Sequence, residues 1–273
     1  MTSAAPILLA DSVTALSAAH AGCVLVAGSH GGVIAARYAA HAQVRAAVFN
    51  DAGIGCDEAG VAGLAWLEAR GVAAAAVSHD SARIGDAADS LARGRVSRAN
   101  AQARALGVTP GQGCAHAAQL LRAAVPAAVD EPQPCPSDGR HALRAAGDGA
   151  PSVIGLDSIG LVEPGDAGRV LVIGSHGGLH GGDPASALSV DARAAFFHDA
   201  GIGRDEAGTT RLPALAARNV PAGTVDFRSA RIGDARSMWA TGVLSRVNAP
   251  LAAFGARSGA SLRDVAAALA ARG

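Results

Sequence analysis

The feature that most constrains the fold is an internal duplication of the chain. The pentapeptide Gly-Ser-His-Gly-Gly occupies residues 28–32 and again residues 174–178. Each copy follows a short apolar run and precedes a longer segment with a helical pattern. Asp157 and Ser175 follow Asp11 and Ser29 by 146 residues, whereas later matches are offset by 148, so two residues are inserted near Gly181–Asp183. The chain is therefore predicted to contain one structural unit twice.

Two longer strings are also duplicated, and both are rich in polar residues. Asp-Ala-Gly-Ile-Gly begins at Asp51 and at Asp199, and one residue later Asp-Glu-Ala-Gly follows in both copies. Ser-Ala-Arg-Ile-Gly-Asp begins at Ser81 and at Ser229. A duplication that preserved only a fold is expected to keep mainly apolar spacing. The retained Gly, Ser, His, Asp and Arg residues therefore predict a functional site.

Short apolar runs alternate with helical patterns in both copies, which predicts an α/β protein with buried parallel strands. The predicted strands are Ile7–Ala10, Cys23–Ala27, Ala46–Phe49, Ala73–Val77, Val153–Leu156, Val170–Ile173, Ala194–Phe197 and Gly223–Val225. The predicted helices are Gly32–His41, Glu58–Arg70, Asp86–Ala92, Ser97–Leu106, Glu206–Arg218, Asp234–Ala240 and Leu262–Ala271. We predict two tandem repeats of a parallel-sheet βαβα unit, related by pseudo-twofold symmetry.

The segment between the copies has the composition of a linker. It carries Pro126, Pro132, Pro134, Pro136 and Pro151 together with Asp, Gly and Ser. We therefore predict a first repeat over residues 1–124, a Pro-rich linker over 125–151 and a second repeat over 152–273. The sequence does not choose between one fused sheet and two lobes around a cleft.

Composition argues against several classes of partner. Half of the residues are apolar, only 17% are charged, and the net charge is zero with no basic block. Neither nucleic acid nor an anionic membrane surface is therefore expected as a partner. No apolar run approaches the roughly 18 residues of a membrane span. The N-terminus lacks a basic start and reaches Asp11 too soon for a signal peptide, so we expect a cytoplasmic protein and leave a homo-oligomer open.

The sequence predicts neither a metal nor a cofactor. The four cysteines, Cys23, Cys56, Cys114 and Cys135, show no Cys-x-x-Cys spacing and are interpreted as free thiols in a reducing compartment. His30, Asp51 and His79 are the residues that could converge on a metal, yet no His-x-His or His-Glu-x-x-His spacing is present. No glycine string matches the dinucleotide-binding or P-loop patterns.

The duplicated polar residues follow the predicted strands at their carboxyl ends, where open α/β sheets bind ligands. We therefore predict a small-molecule site at this rim, shared by both repeats. The predicted catalytic residues are Ser29, His30, Asp51, His79, Ser175, His176, His198 and Asp199. The predicted substrate-binding residues are Gly31, Gly32, Arg83, Gly177, Gly178 and Arg231.

The two serines of the pentapeptide have three alternative roles. The segment Ala27–Gly31 resembles the nucleophile elbow of α/β-hydrolases, and Ser29, Asp51 and His79 follow the Ser…Asp…His order of that family. The resemblance implies that Ser29 is a covalent nucleophile. The sequence departs from that family because only one strand precedes Ser29 and because Phe227 replaces the histidine in the second copy. The alternatives are a ligand anchor at a helix start and a helix N-cap.

The histidines are candidates for substrate contact or proton transfer. His30 and His176 occur in both copies, and capping at a helix start is their structural alternative. His79 and His198 occur in one copy each, so they are candidates for an asymmetric acid–base pair.

The duplicated acids and arginines each have two interpretations. Asp51 and Asp199 are predicted to orient a histidine or to act as bases. Asp57 and Asp205 are instead predicted to cap the following helices. The arginines Arg83 and Arg231 either bind a substrate carboxylate or phosphate, or form an internal ion pair.

These residues favour a hydrolase that cleaves an amide or ester bond, including a cyclic one, in a small anionic metabolite. An alternative is an isomerase, racemase or lyase that uses His and Asp for proton transfer on a small carboxylate. The doubled plan is similar to two-lobed racemases of the aspartate/glutamate type, but neither copy carries their cysteine at an equivalent strand end. A non-catalytic small-ligand binding protein is the third alternative.

Overall fold

The computed structural model describes residues 5–126, 139–145 and 151–272, which form two α/β units. Unit 1 comprises Met1–Ile54, Glu58–Pro136 and Gly203–Asp205. Unit 2 comprises Gly55–Asp57, Ser137–Ile202 and Glu206–Gly273. The α/β class is confirmed, and two mostly parallel sheets of five and six strands fit the two-repeat arrangement. Most of the predicted linker lies outside the described residues.

Unit 1 is built on a five-stranded sheet in the order β1-β2-β3-β4-β5. Its strands are β1 (Ile7–Ala10), β2 (Val24–His30), β3 (Ala46–Asn50), β4 (Ala73–Val77) and β5 (Val96–Ala99). Strands β1 to β4 are parallel, and β5 pairs antiparallel with β4. The three central strands are buried along their whole length because both faces of the sheet are covered.

Two layers of helices cover the sheet of unit 1. The helices are α1 (Val33–His41), α2 (Ala62–Glu68), α3 (Ala87–Arg93), α4 (Ala101–Ala105) and α5 (Cys114–Leu121). Successive residues of β2 face opposite sides, as the pleat requires, so Val24 and Leu25 belong to different cores. Val24 packs in the core beneath α5, whereas Leu25 packs in the core beneath α1 and α2.

Unit 2 has the same plan with one additional strand. Its six-stranded sheet has the order β11-β10-β9-β8-β7-β6, with β7 to β10 parallel and both edge strands antiparallel. The strands are β6 (Arg140–Ala145), β7 (Pro151–Leu156), β8 (Val170–His176), β9 (Ala194–His198), β10 (Ala222–Val225) and β11 (Leu244–Val247). The helices are α6 (Arg211–Ala217), α7 (Ala235–Thr241), α8 (Ala249–Ala253) and α9 (Leu262–Ala271). Strand β6 lies in the segment predicted as a linker.

The predicted helix Ser97–Leu106 is wrong in its first part. Its first three residues belong to β5, which pairs antiparallel with β4, and α4 begins only at Ala101. The side chain of Asn100 accepts the N–H groups of Ala74 and Ala103, so it ends the strand and caps the helix. The same device recurs at Asn248 after β11, a strand that the sequence did not predict.

The predicted helices Glu58–Arg70 and Glu206–Arg218 begin later than expected. The α-helical parts are α2 and α6, and each is preceded by a 3-10 turn. Left-handed backbone explains the delay, because Glu58 has φ 54° and Glu206 has φ 53°. An α-helix cannot begin with a residue in that conformation.

The segment after Gly-Ser-His-Gly-Gly is helical in the first copy only. In unit 1, α2 approaches the start of α1 closely, and a Cβ atom on Gly63 would lie 2.6 Å from the carbonyl oxygens of Gly31 and Gly32. In unit 2 the equivalent position is Arg211, and the only helix described between β8 and β9 is the 3-10 turn Pro184–Ser186.

Arg211 stands at the position equivalent to Gly63, which packs against the start of α1 in unit 1, and it is fully buried. Its guanidinium donates to the carbonyls of His176, Ser186 and Ala187, and Nη2 lies 3.1 Å from His180 Nε2. Burial lowers the pKa of this arginine to about 9. A side chain that holds several loop carbonyls has therefore replaced a helix.

Across the described ranges of the chain, none of the helices is long and apolar enough to cross a bilayer.

Candidate functional site

A strained loop follows β3 in unit 1, and its counterpart follows β9 in unit 2. Four successive residues from Ala52 are left-handed, and Ile54 has φ 65°. The second copy repeats this from Ala200, with φ 63° at Ile202. Left-handed backbone at a β-branched residue is rare and costs about 1–2 kcal/mol. Such strain clusters at functional sites, so these loops are the first place to search for one.

Asp51 fixes both the loop and a histidine. The carboxylate is buried at the end of β3, and its Oδ1 accepts the N–H of Gly53 at 3.1 Å. The same oxygen accepts the backbone N–H of His79 at 2.9 Å and lies 3.0 Å from the ring Nδ1 of His79. Burial alone raises the pKa of Asp51. Hydrogen bonds from His79 and Ser97 more than offset burial, and the pKa lies below its usual value.

The Asp51–His79 pair has the arrangement of a proton-transfer dyad. An ionised carboxylate accepts hydrogen bonds only, so Nδ1 of His79 carries a proton, and Nε2 carries the lone pair when the ring is neutral. The His79 side chain is 21% exposed, and Nε2 lies 3.5 Å from Asp80 Oδ1. The ring is thus anchored at a buried acid on one side and open to solvent in part. This pair is a direct contact between two predicted catalytic side chains.

Unit 2 retains the acid without the histidine. Asp199 Oδ1 accepts the N–H groups of Gly201 and Phe227, both at 3.0 Å, but Phe227 has no ring donor. Burial raises the pKa of Asp199, and the negative charge of Asp226 raises it further. Hydrogen bonds from Gly201, Ser245 and Phe227 lower it, but the pKa still lies above its usual value. The same backbone position therefore holds two acids with opposite pKa shifts.

The duplicated serines accept hydrogen bonds from backbone groups. Ser29 Oγ accepts the N–H of Val13 at 3.1 Å, and Ser175 Oγ accepts the N–H of Ile159 at 2.9 Å. Both serines are buried. Each is the next-to-last residue of a strand, β2 or β8, and does not lie in a strand-to-helix turn. Each hydroxyl ties a 3-10 turn that follows the first strand of its repeat to the second strand.

The pentapeptide histidines end strands β2 and β8, and the glycines follow them in tightly packed segments. Nδ1 of His30 accepts the N–H of Gly32, and Nδ1 of His176 accepts the N–H of Gly178. The other two predicted binding glycines have carbonyl neighbours: a Cβ atom would lie 3.0 Å from Gly60 O at Gly31 and 2.5 Å from Gly208 O at Gly177. A Cβ atom at Gly31 or Gly177 would therefore crowd a neighbouring carbonyl.

His198 takes the place of an asparagine. It is buried at the end of β9, where Nδ1 accepts the N–H of Ala200 and Nε2 donates to the carbonyl of Ala230. At the equivalent end of β3, Asn50 accepts the N–H of Ala52 and donates to the carbonyl of Ala82. Burial lowers the pKa of His198 to about 4, although the bond to Ala230 opposes the shift.

The two predicted substrate-binding arginines are engaged in ion pairs. Arg83 Nε lies 2.8 Å from Asp205 Oδ2, and Arg231 Nε lies 2.7 Å from Asp57 Oδ2. These contacts belong to the ion-pair alternative. The prediction that Asp57 and Asp205 cap the following helices is wrong. Their own backbone is left-handed, and the residues directly before α2 and α6 are Val61 and Thr210.

Unit 2 also contains a cavity of about 300 Å³ above Asp199. Its polar wall includes Asp226, Arg228, Ser245 and Arg246, of which the sequence analysis proposed none as a site residue. The first two have no counterpart in the first copy, where Ser78 and Asp80 stand. Arg246 is matched by Arg98, and that match was the available signal.

Cys23, Cys56 and Cys114 are free thiols, and Cys135 lies outside the described residues. Among the residues that the structure describes, no group of three or more His, Cys, Asp or Glu is placed to hold a metal ion.

Comparison with known proteins finds no matching family model, no matching curated protein and no matching solved structure. Function is therefore argued from the chemistry of the site.

Proposed function

We propose that the protein is a hydrolase in which His79, oriented by Asp51, acts as general base and then general acid. The observation that carries this proposal is the contact between His79 Nδ1 and the buried Asp51 carboxylate. The substrate class is an amide or ester, including a cyclic one, in a small anionic metabolite. We place it in the cytoplasm, in keeping with the three free thiols.

The chemistry follows from the tautomer that Asp51 selects. Nε2 of His79 takes a proton from a water molecule as that water attacks the carbonyl carbon of the substrate. Asp51 then stabilises the imidazolium through the Nδ1 hydrogen bond, and the ring returns the proton to the leaving amine or alcohol. Water is the nucleophile in this proposal, because Ser29 is buried and holds the N–H of Val13.

The same dyad supports a second candidate, an isomerase or lyase that removes a proton from a carbon next to a carboxylate. The observation in its favour is that the dyad provides a base and an orienting acid, while the hydroxyl of Ser29 is engaged with the N–H of Val13. The two candidates differ in D₂O. A carbon acid exchanges its proton for deuterium in the recovered substrate, whereas a hydrolase substrate gains none before cleavage.

The test is a screen of carboxylate-bearing lactones, lactams, esters and N-acyl amino acids with the full chain. For any substrate that turns over, His79→Gln and Asp51→Asn should each lower kcat by about 10²–10⁴. Asp51→Asn keeps an acceptor oxygen for the loop N–H groups, so circular dichroism should remain unchanged. His116→Gln, at an exposed histidine on α5, is the matched control and should retain full activity. Full activity in both dyad variants contradicts the proposal.

A further inference from the structure

The cavity of unit 2 lies at the position that corresponds to the His79 dyad of unit 1. It is lined by the buried Asp199 and by the apolar residues Ile202, Phe227, Val243 and Leu244. A volume of about 300 Å³ is at the lower limit of the range for small-molecule sites. The ligand that fits is therefore about the size of one amino acid.

Asp199 lacks one hydrogen-bond donor that its counterpart has. Asp51 Oδ1 receives three N–H groups, two from backbone and one from the His79 ring. Asp199 receives the two backbone N–H groups at Oδ1 and a hydrogen bond from Ser245, as Asp51 does from Ser97, but no ring N–H from the residue at the His79 position. An ammonium or amide N–H of a ligand would supply the missing donor, and it would stabilise a carboxylate that burial disfavours.

Two arginines line the cavity, and among the described residues only one of them is paired with a carboxylate. Arg228 is paired with Asp226 through Nη2 at 2.8 Å and Nε at 3.1 Å. Arg246 is exposed, and among the described residues no carboxylate lies within ion-pair distance of it; Nη1 donates only to the carbonyl of Ser245. A ligand carboxylate would pair with this guanidinium.

We propose that this cavity is a second ligand site, which binds a small apolar amino acid. The ligand ammonium contacts Asp199, the carboxylate contacts Arg246 and the side chain packs against Phe227. Since Phe227 stands where unit 1 has His79, the site binds without performing proton transfer. This proposal does not depend on the chemistry of the dyad in unit 1.

The test is a calorimetric titration of the full chain with valine and leucine. Isovalerate lacks the ammonium group, and isopentylamine lacks the carboxylate. The amino acids should show saturable binding to one site, and the two single-charge analogues should bind at least about 10-fold more weakly. No saturable binding of either amino acid, or equal binding of isovalerate, overturns the proposal.

Three variants localise the binding. Asp199→Asn retains Oδ1 for the two backbone N–H groups but loses the charge, and Arg246→Ala removes an exposed side chain. Each should weaken binding at least about 10-fold. Arg98→Ala changes the counterpart of Arg246 in unit 1 and should leave the Kd unchanged. His79→Gln should also leave it unchanged, so failure of the hydrolase proposal is distinguishable from failure of this one. If Arg98→Ala and Arg246→Ala weaken binding equally, the ligand does not bind in this cavity and the proposal is wrong.

Discussion

At the scale of single residues, the end of β9 shows how one position is satisfied by two side chains. His198 and Asn50 each accept one backbone N–H and donate to one backbone carbonyl, at equivalent strand ends. Both are buried, so either group left without its partner is costly. The amide and the neutral imidazole present the same pair of functions. This supports a structural role for His198.

His198→Asn should therefore retain the fold, whereas His198→Ala should not be tolerated well. The alanine leaves the Ala200 N–H and the Ala230 carbonyl unpaired and opens a cavity, so the free energy of unfolding should fall by about 2–4 kcal/mol. The asparagine restores both bonds and should lose less than half of that. Urea denaturation at pH 7.5 measures both values. Equal destabilisation by the two substitutions would show that the shape of the ring matters more than its hydrogen bonds.

The sequence predicted both Asp51 and His79 as catalytic residues, but it did not show which of the predicted catalytic residues would pair as a dyad. Asp51 stood among eight candidates because polar duplication was interpreted as functional, and His79 stood among them because it occurs in one copy only and could supply an asymmetric acid or base. In the structure much of that duplication serves backbone hydrogen bonds, as at Ser29 and at Asn100. The partner of a serine hydroxyl is a backbone group 16 residues away, and nothing in the local sequence specifies it.

At the scale of elements, the buried strands and the parallel edge strand β1 were predictable, whereas the antiparallel edge strands β5, β6 and β11 were not. Strands β2, β3 and β4 are continuous apolar runs because both faces of the sheet are covered. Strand β5 lies at an edge, and its sequence Val-Ser-Arg-Ala has two polar residues between two apolar ones, which resembles part of a helical pattern over so short a stretch. The loss of α1 in the second copy depends on Arg211. Its guanidinium donates to loop carbonyls of residues that precede it by 24 or more positions in the chain.

The packing of α1 against α2 depends on the missing side chain at Gly63. A Cβ atom there would also lie 2.8 Å from the Cβ of Ala36, so Gly63→Ala forces the two helices apart. We expect a loss of about 1–3 kcal/mol in the free energy of unfolding.

The matched control for this helix contact is Gly165→Ala, because a Cβ atom at Gly165 meets nothing within 4 Å. That substitution should change the free energy of unfolding by less than about 0.5 kcal/mol. Urea denaturation of both variants gives the comparison, and a neutral Gly63→Ala would refute the close approach of α2 to α1.

At the scale of the whole molecule, stability should decrease as pH falls from 6.5 to 4. Burial lowers the pKa of His198 from 6.5 to about 4, and burial together with Arg211 does the same for His180. Between these values the unfolded chain binds protons that the folded chain does not. Each histidine therefore contributes stability that is fully present above pH 6.5 and is lost by about 1.4 kcal/mol per pH unit within the window.

His198→Asn provides the check on this pH dependence, because it removes one titrating group and keeps its hydrogen bonds. The slope of unfolding free energy against pH between 6.5 and 4 should be shallower by about 1.4 kcal/mol per pH unit. Asp199, whose pKa is raised, acts in the opposite direction, but it is present in both proteins and cancels in the difference. An unchanged slope would mean that His198 is protonated in the folded state.

Beside the buried acid, unit 1 has the ring of His79 and unit 2 has that of Phe227, and exchanging these rings tests how far the duplication has diverged. The backbone N–H of Phe227 already donates to Asp199 Oδ1 at 3.0 Å, as that of His79 donates to Asp51 at 2.9 Å. Phe227→His should therefore bring Nδ1 to Asp199 and turn its pKa from above the usual value to below it. His79→Phe should produce the reverse change at Asp51.

Carboxyl ¹³C NMR titration of both variants measures these two pKa values directly. The new ring would also supply the donor that we assign to a ligand ammonium group, so Phe227→His should weaken valine binding at least about 10-fold. If the pKa of Asp199 stays raised in Phe227→His, the surroundings of the acid, and not the missing histidine, set its protonation. In that case the cavity of unit 2 would differ from the dyad of unit 1 in the surroundings of the acid as well as in the missing histidine.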